Sequence, residues 1–254
     1  MNKNVWLWWE QGWNQAPEIC KMTVKSFEKS SPDWKIHCLS KDNLWEYISK
    51  DYKWIMSCQG PAFRGDLVRA ILLKEYGGVY SDAACMSMKN LNNVLNLIEF
   101  DDFFTFKLNH FYKTDRETVS WFILAEKNSK VMSEWSDLFL KKAKANPINH
   151  PYFLMHYCFN ELVQNNTMVK NHFTKMKSIA GFQNRIDQTL LHLTIEEAEK
   201  KAKAKHHSDF HPNNLQEKIS ANEFIHLKLR HHGLSSNLFS KEDSLYNILF
   251  SNIK

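Results

Sequence analysis

The first forty residues contain two apolar segments on either side of one helical segment. Residues 5–9, VWLWW, form a short apolar run typical of a buried strand, and residues 34–40, WKIHCLS, alternate apolar and polar side chains. Between them, Pro17 stands where a first-turn proline belongs, and apolar residues then recur at helical spacing. This order predicts a βαβ unit, whose two strands must be parallel and joined by a right-handed crossover.

The alternation of helical and strand patterns continues to about residue 170 and predicts an α/β chain. The expected architecture is a Rossmann-like, mostly parallel central sheet flanked by helices, with a helical C-terminal portion. Helices are predicted at 42–52, 61–76, 90–98 and 151–166, strands at 78–83 and 99–108, and a strand or helix start followed by a long helix at 120–146. Residues 194–214 are polar and predict a solvated helix that runs into a loop, and the tail from 223 ends in an amphipathic segment.

Composition restricts the class of protein. The 254 residues suffice for one large α/β domain or two small ones. The net charge of +5 comes from dispersed lysines, which does not match the basic stripe of a nucleic-acid binder but suits loose contact with an anionic membrane or a phosphate-bearing substrate. Five widely spaced cysteines without a C-x-x-C pair favour reduced thiols in the cytoplasm. The sequence contains no run of about 18 apolar residues, so no transmembrane helix is predicted.

One stretch carries residues suited to chemistry. Asp66 and Arg69 are three apart on the predicted helix 61–76 and share a face, and Asp82 ends the strand that follows the Gly77-Gly78 turn. Ligands of open α/β sheets bind beyond the carboxyl ends of strands, and a carboxylate there suits a divalent cation that also holds a diphosphate. Two simpler interpretations remain open at this point, a surface ion pair for Asp66 and Arg69 and a turn residue for Asp82.

The pattern R-x-D-x-x-R-x-x-x-L-x-x-x-G-G-V-Y-x-D-A, residues 64–83, resembles the signature of glycosyltransferase family 32. This family includes capsular polysaccharide synthesis proteins, yeast mannosyltransferases and the glucosyltransferase domains of clostridial toxins. The N-terminal VWLWWEQGWNQAPEIC and the later SWFILAEKNSKVM and PYFLMHYCFNEL resemble the capsular branch. The resemblance covers roughly residues 5–165. It implies a single GT-A type domain over 1–254, with a nucleotide-sugar half at 1–110 and an acceptor half with a closing segment at 111–254.

The resemblance implies roles for individual residues. It places Asp66 and Arg69 on hydroxyls of the donor sugar and Asp82 on the sugar or ribose and the metal, and these three are the predicted catalytic residues. A tryptophan near the end of the first strand would stack on the nucleotide base, and Trp8 or Trp9 is the candidate. The other predicted donor-binding residues are Gln11, Gly12, Arg64, Tyr80, Ala83, Lys228 and His231.

The chain departs from the family pattern at Ala84, where the second aspartate of the D-x-D motif would be the main metal ligand. The resemblance still implies a divalent cation, Mn²⁺ or Mg²⁺, with Asp82 and His232 as its protein ligands. Because Ala84 has no ligand atom, arginine or lysine could neutralise the diphosphate instead of the cation. The basic tail HLKLRHHG, residues 226–233, supplies candidate phosphate and metal partners. His156, on an apolar predicted helix, is expected to be a core histidine with satisfied hydrogen bonds.

The function implied is transfer of a hexose from a UDP- or GDP-sugar, with retention, to a bacterial surface glycan such as capsular polysaccharide or lipopolysaccharide O-antigen. The acceptor would be a glycan or a lipid-linked oligosaccharide, in the cytoplasm or peripherally at the inner membrane, without nucleic-acid partners. One alternative is a catalytically weakened binding or scaffold protein of the same fold. An unrelated Rossmann-like enzyme is disfavoured, because neither G-x-G-x-x-G nor a P-loop motif occurs.

Overall fold

The structure is a computed structural model that describes residues 1–108, 115–179, 193–204, 226–228, 243–251 and 253. Contacts within the chain divide it into two compact units. The sheet unit comprises 1–16, 33–82 and 97–179, and the second unit comprises 17–32, 83–96 and 180–254. The predicted halves, 1–110 and 111–254, remain a prediction.

The sheet unit is built on five strands in the order β2-β1-β3-β6-β5. β1 pairs in parallel with β2 on one side and β3 on the other, whereas β6 runs antiparallel to both β3 and β5. Four of the five strands therefore point the same way, which confirms the mostly parallel sheet and the parallel pair expected at the N-terminus. The strands are β1 (Asn4–Trp8), β2 (Lys35–Leu39), β3 (Gly78–Asp82), β5 (Phe103–Lys107) and β6 (Thr118–Ala125).

Four helices of the sheet unit cover apolar surface of the sheet and of one another. They are α2 (Pro61–Tyr76), α4 (Lys130–Ala145), α5 (Leu154–Asn165) and α6 (Thr167–Lys175). α2 contacts β1, β3 and β6 and packs on α4, which packs on α5, which packs on α6. Their shared core contains the fully buried Trp6, Leu72, Trp135, Phe139 and Phe159. Because α2 packs against the sheet and also against α4, its apolar residues are distributed all around the helix.

Two glycines explain how α2 ends and β3 begins. Gly77 closes the helix with φ +65° and its N–H donates to the Leu73 carbonyl, a common C-terminal arrangement for glycine. A Cβ on Gly77 would lie 2.4 Å from the Lys127 backbone nitrogen, and one on Gly78 would lie 2.5 Å from the Asn4 carbonyl oxygen. No other residue type fits at either position without moving backbone, so the turn into β3 requires both glycines.

The second unit contains the remaining described elements. These are α1 (Glu18–Ser30), β4 (Cys85–Ser87), α3 (Leu91–Leu97, whose last residue belongs to the sheet unit), α7 (Ile195–Ala204), β7 (His226–Lys228) and α8 (Leu245–Ser251). β4 pairs antiparallel with β7. The Ser30 hydroxyl at the end of α1 donates to the Ser87 hydroxyl at 2.9 Å, and the Asn90 amide donates to the Ser30 carbonyl. These bonds join α1 to the segment that contains β4.

Residues 42–52 differ from the predicted continuous helix. They form one short 3₁₀ helix at Leu44–Glu46 and the start of another at Lys50–Ser57. The Asn43 side chain accepts from the Ser40 N–H and donates to the Cys38 carbonyl, and the Ser49 hydroxyl accepts from the Asp51 N–H. Such local side-chain bonds compete with α-helical hydrogen bonding, which explains the interruption.

Among the helices that the structure describes, none is both long enough and apolar enough to cross a bilayer.

Candidate functional site

Arg69 forms the centre of a charged cluster at the carboxyl end of β3. Its Nη1 lies 2.7 Å from Asp66 Oδ1, on the same face of α2, and its Nη2 lies 2.5 Å from Asp82 Oδ1, at the end of β3. The guanidinium carbon is 4.5 Å from the centroid of the Tyr80 ring, which supports its flat face. The structure therefore brings Asp66, Arg69, Tyr80 and Asp82 together, as the sequence predicts.

The cluster is buried at its centre and open at its acidic groups. Arg69 is 4% exposed, whereas the side chains of Asp66 and Asp82 are 16% and 27% exposed. Burial alone would lower the pKa of Arg69, but the two carboxylates outweigh it and hold the pKa above its usual value. Burial raises the pKa of the Tyr80 phenol. Arg69 is thus a permanent cation that orients two carboxylates a ligand can reach.

Trp8 forms a wall of the same region. It is the last residue of β1 and lies opposite Asp82 in the β1–β3 register. Its indole is 93% buried and rests on α2, where a Cβ on Gly65 would lie 3.3 Å from the Trp8 Cδ1. Gly65 costs helix stability, about 1 kcal/mol relative to alanine, and the space it leaves is filled by this ring. Trp8 is buried and Trp9 is partly exposed, so Trp9 is the more accessible of the two predicted base-stacking tryptophans.

The loop after β1 is fastened to α2 by Arg64. Arg64 Nε and Nη2 donate to the two carboxylate oxygens of Glu10 at 2.8 and 2.7 Å, and Nη1 donates to the Cys58 carbonyl at 2.6 Å. Gly12, with φ +95°, closes a turn by donating its N–H to the Trp9 carbonyl. Arg64 is therefore engaged within the protein, and its contribution to a donor site would be to hold the loop that contains Trp9, Gln11 and Gly12.

His156 enters the same region from the first turn of α5. It is 8% exposed, and burial, with the charges of Arg116 and Arg69, lowers its pKa to about 3. Within the part of the chain that the structure describes, its Nδ1 is buried without a hydrogen-bond partner. The expected burial is confirmed, but the expectation of satisfied hydrogen bonds is wrong at this atom. An unmet buried polar group costs about 1–3 kcal/mol, so it requires an explanation.

The remaining predicted residues belong to the second unit or lie outside the described ranges. Ala83 and Ala84 form the buried turn after Asp82. Lys228 is part-buried and lies opposite Cys85 in the β4–β7 pair. His226 is fully buried, with its ring 5.5 Å from that of Phe27. His231 and His232, like the rest of the basic tail beyond Lys228, lie outside the described residues.

The described residues do not by themselves form a metal site. Among them no group of three or more His, Cys, Asp or Glu side chains is arranged to hold a metal ion. One oxygen of Asp82 is already hydrogen-bonded to Arg69, and Ala84 has no ligand atom. A cation bound here would depend on other groups, such as diphosphate oxygens, for most of its coordination.

The arrangement suits recognition of a polyhydroxylated ligand. Carboxylates accept hydrogen bonds from hydroxyl groups, and Arg69 holds both carboxylates in place. A buried cation also stabilises negative charge that develops nearby, because the low local dielectric strengthens the interaction. The site thus combines hydroxyl recognition with a fixed positive charge.

Two contributors were not predicted from the sequence. Glu10 is 54 positions from its partner Arg64, and no local pattern links such residues. Arg116 lies just before β6, where its guanidinium sits 3.9 Å from the centroid of the Phe153 ring. Of these two residues, only Glu10 could have been proposed from the sequence, because it is a lone acidic residue directly after a buried strand.

Comparison with known proteins shows the family of the chain. The family model for capsular polysaccharide synthesis proteins matches residues 1–224. The probable glycosyltransferase FCK3 of Fusarium pseudograminearum is 25% identical over 151 residues, 54% of this chain and 38% of that protein. The O-glycosyltransferase braB of Annulohypoxylon truncatum is 28% identical over 160 residues, 55% and 37% respectively. The chain thus spans well under half the length of these curated relatives.

A solved structure gives the fold. The apo glycosyltransferase GlyE of Streptococcus pneumoniae TIGR4 matches 99% of this chain and 60% of its own, with a TM-score of 0.50 and 14% identity. The matches confirm the predicted capsular branch and support the predicted enzyme class. The chain therefore belongs to the capsular polysaccharide synthesis protein family and has the fold of a GT-A glycosyltransferase.

Proposed function

We propose that the protein is a glycosyltransferase that moves a hexose from a UDP- or GDP-sugar to a growing bacterial surface glycan, capsular polysaccharide or lipopolysaccharide O-antigen. The observation that carries the proposal is the Arg69 cluster, in which a buried guanidinium holds Asp66 and Asp82 at the carboxyl edge of the sheet. The family description supports the class of acceptor. The acceptor itself would be a glycan or a lipid-linked oligosaccharide.

In this proposal the three charged residues bind the transferred sugar. Asp66 and Asp82 accept hydrogen bonds from its hydroxyls, and Arg69 holds both carboxylates in position. The bond between the anomeric carbon and the diphosphate oxygen breaks as the bond to the acceptor oxygen forms. With retention of configuration, the departing phosphate takes the acceptor proton on the same face. Fixed orientation and a fixed charge are the protein's contributions.

A divalent cation, if bound, would neutralise charge on the diphosphate. No step above depends on it, because Asp82 is the sole predicted metal ligand among the described residues. Trp9 would contact the base, with Gln11 and Gly12 beside it. The predicted contributions of Lys228 and His231 to diphosphate binding, and peripheral contact with the inner membrane, remain proposals of the same kind.

A donor panel tests the proposal directly. The purified chain would be incubated with UDP-glucose, UDP-galactose, UDP-N-acetylglucosamine and GDP-mannose, with Mn²⁺ or with EDTA, and release of nucleoside diphosphate would be measured. We expect hydrolysis of at least one donor. Activity that survives EDTA would remove only the cation from the proposal, and the anomeric configuration of a transfer product would decide retention.

The substitution Asp82→Asn assigns the site. It removes the charge that Arg69 pairs with and preserves the shape, so turnover should fall by about 10²–10³ while the chain stays folded, as judged by circular dichroism. Wild-type turnover in this variant would show that the assignment is wrong.

A second candidate function is supported by Ala84. Loss of the second D-x-D aspartate fits a protein that binds nucleotide sugars without turnover and acts in an assembly complex. Saturable donor binding with no hydrolysis across the panel would favour this alternative.

A further inference from the structure

His156 differs from the other buried histidine of the sheet unit in its hydrogen bonding. His37 is 6% exposed and both its ring nitrogens have partners, the Tyr47 hydroxyl at 3.3 Å and the Asn4 amide oxygen at 2.9 Å. His156 is equally buried, yet in the described ranges its Nδ1 has none. Two histidines of similar burial in one unit thus show opposite outcomes, and the charge of Arg69 acts on the unsatisfied one.

The surroundings of His156 place it beside the candidate site. The charged groups close enough to act on it come from three elements: Arg69 from α2, Asp82 from β3, and Asp115 and Arg116 from the segment before β6. α5 therefore carries this ring within electrostatic range of Arg69 and Asp82, two of the predicted donor-sugar residues. Arg69 and Asp82 lie on α2 and β3, so His156 comes from a third element.

The ring is held in a fixed orientation. The edge of His156 meets Phe153 at a centroid distance of 5.4 Å and 90°, and Phe153 itself carries the Arg116 guanidinium. The Tyr157 hydroxyl donates to Asp115 at 2.8 Å, and the Asn160 side chain binds the Asp115 carbonyl and the Glu117 N–H. A polar atom held this rigidly and without a partner is typical of a preorganised ligand contact.

The chemistry of the ring selects the ligand. Burial and the charges of Arg116 and Arg69 lower the pKa of His156 to about 3, so the ring is neutral and offers one acceptor and one donor nitrogen. A neutral ring is a weak partner for phosphate but a good partner for a hydroxyl, which also both donates and accepts. Arg69 and Arg116 would compete more effectively for any anion.

We propose that His156 is a specificity-determining residue whose Nδ1 hydrogen-bonds one hydroxyl of the transferred hexose. This rests on the proposed function, since it names a further contact to the same sugar that Asp66 and Asp82 hold. Hexoses differ in the orientation of single hydroxyls, and a buried polar atom left unpaired by the wrong epimer discriminates strongly against it.

The test compares three substitutions at one position. His156→Phe keeps the ring shape and removes both nitrogens, His156→Asn places an amide near the Nδ1 position, and His156→Gln extends the amide toward Nε2. We expect kcat/KM for donor hydrolysis to fall about tenfold or more in His156→Phe and to recover in His156→Asn more than in His156→Gln. His37→Phe is the matched control, which should lose stability without a change in donor preference.

Monodeoxy analogues of the donor identify the hydroxyl. The wild type should reject the analogue that lacks one particular hydroxyl, and His156→Phe should accept it as readily as the parent donor. An unchanged kcat/KM and an unchanged deoxy profile in His156→Phe would overturn the inference while leaving the transferase intact. Absence of wild-type turnover with every donor would instead refute the proposed function, and the inference with it. If His156→Phe does not fold, as judged by circular dichroism, the Asn and Gln variants give the same comparison.

Discussion

Two arginines on α2, five residues apart, have opposite surroundings. Arg64 donates to both oxygens of Glu10 and to the Cys58 carbonyl, so each nitrogen of its guanidinium has a protein acceptor. Arg69 spans two carboxylates from different elements, and within the described residues its Nε is buried without an acceptor. The first arginine completes a structural contact, whereas the second holds two partly exposed carboxylates that a ligand can reach.

From this difference we infer that the Arg64 pair serves folding, and we propose that the Arg69 cluster serves binding. A closed pair holds the loop after β1 and needs nothing further. An open cluster holds partly exposed carboxylates around a buried cation at a cost in desolvation, which is expected where a site is prepared for a ligand. The following predictions would break or refine this distinction.

Replacing each arginine by glutamine should give the largest contrast. Arg69→Gln leaves Asp66 and Asp82 next to each other without their cation, and removal of one partner of a buried pair costs about 3–5 kcal/mol. It should also abolish donor turnover. Arg64→Gln, the matched substitution, should retain turnover at a reduced level. Urea denaturation and the donor assay measure both, and equal losses of activity in the two variants would contradict the distinction.

Acid should destabilise the open side through His156. Its pKa is about 3 in the folded protein and about 6.5 when exposed, so the unfolded state takes up the proton first as pH falls below 6.5. The contribution of the neutral ring to the unfolding free energy is complete above pH 6.5 and is lost as pH falls toward 3. By pH 5 the loss amounts to about 2 kcal/mol.

His156→Asn should flatten that part of the pH profile of unfolding free energy. His37, whose pKa is lowered to about 4, acts in the same direction and will remain in the variant. A variant whose profile matches that of the wild type between pH 4 and 6.5 would show that His156 does not carry this dependence.

Weakening the closed pair should have a smaller effect. Glu10→Gln keeps the hydrogen-bond acceptor at one position but removes the charge, and we expect a loss of about 1 kcal/mol in unfolding free energy. The donor KM should rise more than kcat falls, because the loop that contains Trp9 and Gly12 loses its attachment. A selective fall in kcat would indicate that Glu10 takes part in the reaction itself.

The smallest change in stability is expected for Gly65→Ala, which lies between the two arginines. A better helix former gains about 1 kcal/mol, but the new Cβ presses on the Trp8 ring, and the two effects should nearly cancel. A shift in donor KM without a shift in melting temperature would show that the position of Trp8 matters to the site.

Much of the fold was predictable because its signals are local. The run VWLWW, the helix that starts at Pro61 and the Gly77-Gly78 turn each depend on residues close in sequence, and the structure confirms all three. The interrupted segment at 42–52 was missed because the Asn43 and Ser49 side chains bond locally to backbone, an effect that hydrophobic spacing does not report.

The candidate site was predictable in part for the same reason. Asp66 and Arg69 share a helical face, and Asp82 follows a strand, so spacing alone suggests that they lie near one cleft. Glu10 and His156 could not be placed, because their relation to α2 and β3 depends on how the elements pack. Burial assigned His156 to the core correctly, but only the arrangement of its neighbours leaves Nδ1 without a partner.

The sequence by itself determined most of the secondary structure of the first half, with the exception of 42–52, together with the parallel strand pair, the family and the identity of the charged triad, since each rests on local spacing or on a motif. Only the tertiary structure decided which arginine is occupied and which is open. It also decided that Trp8 packs against Gly65 and that His156 reaches the cluster from α5. The Arg64–Glu10 pair, the Trp8–Gly65 contact and the effect of Arg69 on His156 join residues 54 to 87 positions apart, whose approach is set by the packing of α2 and α5 and not by a local pattern.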